Sequence, residues 1–323
     1  MRGGRWWLPG AACVLAVALV LGVMIGPAGS WGSASWNIVW NVRMPRVVLA
    51  GIVGAMLSLS GASFQGVFRN PLVDPYLLGV AAGAGLGATI VFALGRTATA
   101  GWPIDPLPLA AFVGGLAAVI LTYLVGVSFG VSSARNNVTL VLAGVAVTSL
   151  ATAIQAFVLQ RNNDVVREVY SWILGRLTTA RWSDVRLVLP YVVVSSVVLL
   201  LHRRHLDLLR VGDEEAAALG GHVQRVRLTV VIAATMGTAA VVSVSGLIGF
   251  VGIVVPHVVR MLAGASYRRV LPLSLMVGAA FLILADIPGR VLQDPAETPI
   301  GVVTAFFGAP FFIVVMRTRK TLA

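Results

Sequence analysis

Apolar residues run through this chain in ten long blocks separated by short polar connections. The blocks cover residues 8–27, 45–67, 76–95, 107–128, 138–159, 186–202, 226–244, 247–263, 272–288 and 299–316. Each approaches the roughly 20 residues that an α-helix needs to cross the hydrocarbon of a bilayer. The pattern predicts an all-α polytopic membrane protein with ten spanning helices and both chain ends on one side. The connections leave no room for a soluble domain, so residues 1–323 are expected to form a single transmembrane domain.

Within the blocks, small residues recur every four positions: Gly54, Ser58, Ala62 and Gly66; Gly79, Gly83 and Gly87; Gly301, Ala305 and Ala309. Such stripes let helix backbones approach closely inside a bilayer. "GAGLGA" (83–88) has the glycines of a dinucleotide loop but no preceding strand, so it reads as packing within a helix.

Four stretches break the apolar pattern. "RNPLVDP" (69–75) places two prolines, an arginine, an asparagine and an aspartate between the second and third blocks. In residues 160–185, Val165, Val169, Trp172 and Ile173 recur at helical spacing, which predicts a short amphipathic helix at the outer surface. In residues 203–225, Asp213 is a candidate N-cap, Glu214 and Glu215 suit the positive helix end, and Gly220–Gly221 stop the helix. A helix of about seven residues is marginal alone, so this one is expected to dock on something. Finally, Gly246, Gly249, Gly252 and Pro256 weaken the eighth block, and broken helices survive at membrane depth only when buried or lining a cavity.

Composition agrees, with 58% hydrophobic and 11% charged residues. The formal charge of +12 invites a nucleic-acid reading until it is placed on the topology. With the N-terminus inside, fifteen of the 24 basic residues share the inner face with five acids, Asp74, Asp207, Asp213, Glu214 and Glu215. That is the positive-inside asymmetry, which predicts cytoplasmic termini and no nucleic-acid partner. The basic start, apolar core and "PAGS" of the first block resemble a signal peptide, but we read an uncleaved first span.

Little covalent chemistry is on offer. No G-x-x-x-x-G-K-[ST] or H-E-x-x-H occurs, and the four histidines are His202, His205, His222 and His257. Cys13 is alone, Ser245 and His257 are too far apart to pair, and no metal site is expected. Asp286 lies at the outer end of the ninth block, just before Arg290, and acids near the midplane are nearly missing. This argues against a proton- or sodium-coupled carrier. A channel stays open.

Four segments, in this order, carry a resemblance: "NVRMPRVVLAGIVGAMLSLSGASFQGVFRNPLVDPYLLGVAAGAGLGA" (41–88), "GDEEAAALG" (212–220), "SGLIGFVGIVVPHVVRML" (245–262) and "ETPIGVVTAFFGAPFFIVVMRTRK" (297–320). Together they resemble the permease subunits of the iron-chelate and cobalamin family of ABC importers, the type II importers. The resemblance implies the type II permease fold and a homodimer in the cytoplasmic (inner) membrane of a prokaryote. Two cytoplasmic ATPase subunits would lie beneath it and one extracytoplasmic substrate-binding protein above. ATP and Mg would sit in the ATPase subunits, with no cofactor, metal or enzyme activity in this chain. The cargo implied is an iron chelate (ferric siderophore or heme), with cobalamin as the alternative and a channel or ion-coupled carrier as the competing class.

The same resemblance assigns residues. Residues 205–221 match the family's coupling segment. There Leu208, Leu209, Val211, Ala217 and Leu219 would supply apolar contact, and Asp213, Glu214 and Glu215 polar register, with Gly212 and Gly220 in the same motif. Arg43, Arg46 and Arg290 match rim arginines that meet acids of the binding protein. Thr139, Gly144, Thr148, Thr152 and Gln155 would give the fifth span a mildly polar wall along the translocation path. Arg69, Asn70, Pro71, Asp74 and Pro75 would form the inner turn between the second and third spans, with a share in the inner gate.

Overall fold

The structure, a computed structural model, describes residues 6–26, 35–99, 105–128, 136–218, 222–292 and 296–320. The ten expected helices are present. They are α1 (Trp7–Met24), α3 (Met44–Val67), α4 (Val80–Thr99), α5 (Pro106–Ser128), α6 (Asn136–Arg161), α8 (Trp182–Leu201), α11 (Val223–Ser245), α12 (Val251–Ala263), α13 (Tyr267–Val291) and α14 (Ile300–Lys320). A short α2 (Trp36–Ile38) runs through a π-helical turn (Val39–Arg43) into α3. Three further helices lie in the connections: α7 (Val166–Ile173), α9 (Arg203–Leu209) and α10 (Asp213–Ala218).

Among the described residues, seven helices are long and apolar enough to cross a bilayer, while Val80–Gly95, Val251–Ala263 and Ile300–Val315 are shorter apolar stretches. The 13 residues of α12 reach only about 20 Å, short of the roughly 30 Å of hydrocarbon. The rest of that crossing falls to irregular backbone at 246–250, and α4 is likewise preceded by the irregular stretch 68–79.

At the centre stands α3, buried continuously from Val53 to Val67 and packed on α8, α11, α12 and α13. Its small-residue stripe explains the contact. A Cβ on Gly54 would lie 2.2 Å from the Gly278 carbonyl oxygen of α13, and one on Gly61 2.1 Å from the Gly252 oxygen of α12. Ser58 Oγ then donates to the Ser274 carbonyl at 2.8 Å. The second stripe works the same way, with Gly83 facing Gly114 and Gly87 facing Ala110 across α4 and α5. Gly79 departs from expectation: it precedes α4, with φ +90°.

α7 covers one end of the bundle and α9–α10 the other. The expected amphipathic helix exists, but its apolar face turns into the protein. Val169 and Trp172 are buried, and Trp172 packs with Ala84, Ala88, Ala111 and Val242. Arg176 N donates to the Ser245 carbonyl at 2.6 Å, fastening the segment after α7 to the end of α11.

Candidate functional site

The connection between α3 and α4 is longer than the inner turn expected from "RNPLVDP". α3 ends at Val67 and α4 starts only at Val80, so neither proline begins a helix. Each polar residue instead closes a turn on its own neighbours: Asn70 Oδ1 accepts from Leu72 N at 3.0 Å, and Asp74 Oδ1 from Tyr76 N at 2.8 Å. These are Asx turns, which the chain makes where no helix is available. Arg69 holds a left-handed φ of 50°. Burial pushes the Asp74 carboxyl up to about 6, against the lowering effect of the Tyr76 amide.

The chain then climbs into the bundle. Gly79 packs beside Thr148, halfway along α6, and Thr122 Oγ1 donates to the Leu78 carbonyl at 3.0 Å. The second irregular stretch, between α11 and α12, meets it there. This break is bounded by Gly246 (φ +69°) and Phe250 (φ +68°), while Pro256 sits inside α12 without ending it. Tyr76 Oη donates to the Ile248 carbonyl at 3.0 Å and accepts from the Ile248 amide at 3.2 Å. Gln65 Nε2 donates to the Val73 carbonyl at 3.2 Å and the Gly252 carbonyl at 3.0 Å, and its Oε1 accepts from Arg260. Backbone groups freed by two interruptions are thus satisfied inside the protein, as apolar surroundings require.

At the α9–α10 end, Asp207 accepts from Ser266 Oγ and Tyr267 N, both at 2.7 Å, and so caps α13 from a neighbouring helix. Leu206 and Leu209, one turn apart, are buried against the bundle, as is Ala216. Leu209 therefore faces inward, which corrects its expected place on a partner-facing surface. Leu208 is half-buried, while Val211 and Glu215 are exposed. Gly212, at φ +131°, precedes Asp213, which is the first residue of α10 rather than its N-cap. The Asp213 carboxylate pairs inward with Arg227 at 3.1 Å and with Arg69 at 3.6 Å, so α10 is tied both to α11 and to the α3–α4 connection. Leu219, Gly220 and the side chains of Glu214 and Ala217 lie outside the described residues.

The three arginines expected on an exposed rim are buried at the α7 end. Arg46 forms a two-pronged pair with Asp286, Nε to Oδ2 at 2.8 Å and Nη2 to Oδ1 at 2.9 Å, and reaches Glu297 at 2.7 Å. Arg290 pairs with the same Asp286, Nε to Oδ2 at 2.8 Å, and donates to the Gly22 carbonyl at 2.8 Å. Arg43 donates to the carbonyls of Val23 and Met24 at 3.3 and 3.2 Å. The cause is local. Charges near apolar surroundings are tolerated when paired and hydrogen-bonded, and the open carbonyls at the end of α1 supply what the carboxylates do not.

The five positions named on α6 do not share a face. Gly144 and Gln155 turn into the bundle. A Cβ on Gly144 would lie 2.4 Å from the Leu77 carbonyl oxygen, and Gln155 Nε2 donates to Thr89 Oγ1 at 2.9 Å. Thr139 and Thr148 are half-buried, and only Thr152 is exposed. Beside Thr152 lie the small exposed residues Ala146, Ser149, Ala153 and Ala156. Among the described residues no group of three or more His, Cys, Asp or Glu side chains is placed to hold a metal ion.

Residues 8–318 match the FecCD transport family. The chain belongs to that family. The cobalamin import system permease protein of Halobacterium salinarum is 41% identical over 88% of this chain and 75% of its own length. The hemin transport system permease protein of Yersinia pestis is 36% identical over 90% of this chain and 86% of its own. A solved structure described as an inward-facing conformation of a metal-chelate type ABC transporter superposes with a TM-score of 0.86 at 31% identity. The superposition covers 96% of this chain and 98% of that one.

Relatives in the family are permease proteins, and the polar side chains described above hold irregular backbone and helix ends. Sequence reasoning missed Tyr76, Asp207, Arg227 and Glu297. Tyr76 had a signal, a phenol directly after Asp-Pro inside an apolar run. Asp207 also had one, an isolated acid in a basic connection.

Proposed function

We propose that this chain is the membrane permease of an ATP-driven importer that carries an iron chelate, a ferric siderophore or heme, into the cytoplasm. The observation that carries the reading is the family match across residues 8–318. Two copies form the pathway, with the small-residue stripe of α6 turned toward it. Two ATPase subunits bind the α9–α10 face and hold ATP and Mg, and one extracytoplasmic binding protein delivers cargo at the α7 face. Residues 1–323 act as one unit, with 205–221 as the coupling segment, and both termini are cytoplasmic in the inner membrane of a prokaryote. Supporting this orientation, the exposed Arg203, Arg204, Arg210 and Arg225 all cluster around α9–α10.

Transport is alternating access: nucleotide binding in the partners shifts the population of inward- and outward-open dimers. Asp213 is the first link in this chain, since it joins α10 to Arg227 and Arg69. The permease itself makes and breaks no covalent bonds. Cobalamin is the second reading, favoured by the 41% identity with the cobalamin permease.

The test is uptake into liposomes holding this chain with its ATPase and binding protein, with ferric siderophore, heme and cobalamin offered side by side. ATP-dependent uptake of an iron compound supports the primary reading. Uptake of cobalamin alone transfers it to the second, and solute flux through the chain without any ATPase would return the channel or carrier class.

A further inference from the structure

A cavity of 130 Å³ opens between α5, α6 and α11 at the α9–α10 end of the bundle. Its walls change character along the helices. Gln224 and Arg227, in the first turns of α11, and Tyr123, near the end of α5, line the part closest to that end. Val119, Val231 and Leu78 close it deeper in the bundle. Tyr123 and Val127 are exposed at its mouth, so the cavity is continuous with the outer surface of α5.

Arg227 is 6% exposed. Its Nη2 is bonded to Asp213, but its Nε has no hydrogen-bond partner among the described residues. That N–H is enclosed by the protein, but Arg227 lines the cavity and keeps guanidinium donors beyond the one given to Asp213, which can meet an acceptor entering from outside the chain. The cavity would present that acceptor with an apolar continuation toward the middle of the bundle. A free anion has no use for the apolar half. A phospholipid matches both halves, with its phosphate level with the helix ends and its chain running inward.

We propose that this cavity binds an anionic phospholipid of the leaflet at the α9–α10 face. The phosphate accepts from Arg227, and the first acyl carbons occupy the space beside Val119 and Val231. The exposed Arg203, Arg204 and Arg225 on the same end favour an anionic headgroup over a zwitterionic one. The lipid then shares Arg227 with Asp213, one side chain away from α10. This inference rests on the chain spanning a bilayer and is independent of what it transports.

The test uses the delipidated full chain in neutral detergent, followed by thermal unfolding with added phosphatidylglycerol, phosphatidylcholine or inorganic phosphate. Phosphatidylglycerol should raise the midpoint with a half-saturating mole fraction roughly tenfold below that of phosphatidylcholine, since both phosphates can accept from Arg227 but only phosphatidylglycerol keeps a net charge for Arg203, Arg204 and Arg225. Inorganic phosphate should leave the midpoint in place. Arg227→Gln should weaken the response to both lipids, and Arg225→Gln should narrow the preference between them. Val127→Trp, at the mouth and without a role in the Asp213 pair, should weaken the response to both, and it decides the matter if Arg227→Gln does not fold. Equal responses to the two lipids, a response to inorganic phosphate equal to that of phosphatidylglycerol, or an unchanged response in Val127→Trp would each overturn the site.

Discussion

Tyr76 and Ile248 join the two helix interruptions of this protein through one hydroxyl, which donates to the Ile248 carbonyl at 3.0 Å and accepts from its amide at 3.2 Å. A single side chain thereby satisfies both backbone groups of a residue that belongs to no helix. Tyr76→Phe keeps the ring and removes this service. The expected cost is about 1–3 kcal/mol per group left unsatisfied, seen as a lower unfolding midpoint in detergent. An unchanged midpoint would mean that water replaces the hydroxyl.

The Arg46–Asp286–Arg290 cluster predicts strong asymmetry among substitutions. Removing Asp286 leaves two buried guanidinium groups sharing only Glu297 and the α1 carbonyls, so Asp286→Ala should destabilise by about 3–5 kcal/mol. Arg43→Gln, which shortens the donor that reaches the Val23 and Met24 carbonyls and leaves Asp286 in place, should cost less. Yield and thermal midpoint of the purified permease compare the two directly.

On α9–α10, exposure separates assembly from stability. Leu209→Ala should lower the unfolding midpoint, at about 2–5 kcal/mol for a buried leucine. Val211→Glu and Glu215→Arg, on exposed positions, should leave that midpoint unchanged and reduce association with the ATPase and ATP-driven uptake. Uptake at the wild-type level in both exposed variants would remove the coupling role.

Asp74 gives a pH signature. Its carboxyl is raised from 3.8 to about 6, so ionising it costs the folded state. The penalty is absent below about pH 4, grows through pH 6 and is constant above. Asp74→Asn keeps an oxygen for the Tyr76 amide and removes the charge. The variant should lose this acid-range decline and melt a few degrees higher than wild type at pH 7.5, while the two converge near pH 4.

Close backbone approach predicts which glycines are fixed. Gly54→Val must place methyl groups into the Gly278 carbonyl and should prevent the α3–α13 contact from forming. Gly10→Ala on exposed α1 meets nothing within 4 Å and should be neutral or slightly stabilising. Expression as a monodisperse peak in size-exclusion chromatography distinguishes them.

The ten helices were legible because apolar length alone dictates them, and the stripes at Gly54 and Gly83 because close packing needs small residues. What the sequence did not disclose is where charges end up once helices meet. Arg46 and Arg290 sit at the right end of their helices for a rim, yet Asp286 and Glu297 fold under them and take them inside. No one-dimensional pattern pairs position 46 with position 286. The same limit applies to α6, where periodicity places Gln155 and Thr152 on the chain but only the position of Thr89 tells which of them faces inward. For "RNPLVDP", composition revealed a break, and the tyrosine one residue beyond it revealed what the break is for only once Ile248 lay beside it.

The seal between the two interruptions also sets an order of events during synthesis. Its members lie 172 positions apart, and at about 5–20 residues per second a ribosome needs roughly 10–30 s to make the second after the first. Throughout that interval residues 68–79 have no Ile248 to lean on. The turns closed by Asn70 and Asp74 use only amides made within two residues of each carboxamide or carboxylate, so this stretch can take shape as soon as it leaves the ribosome. The distant half of the seal then arrives at a surface already waiting for it.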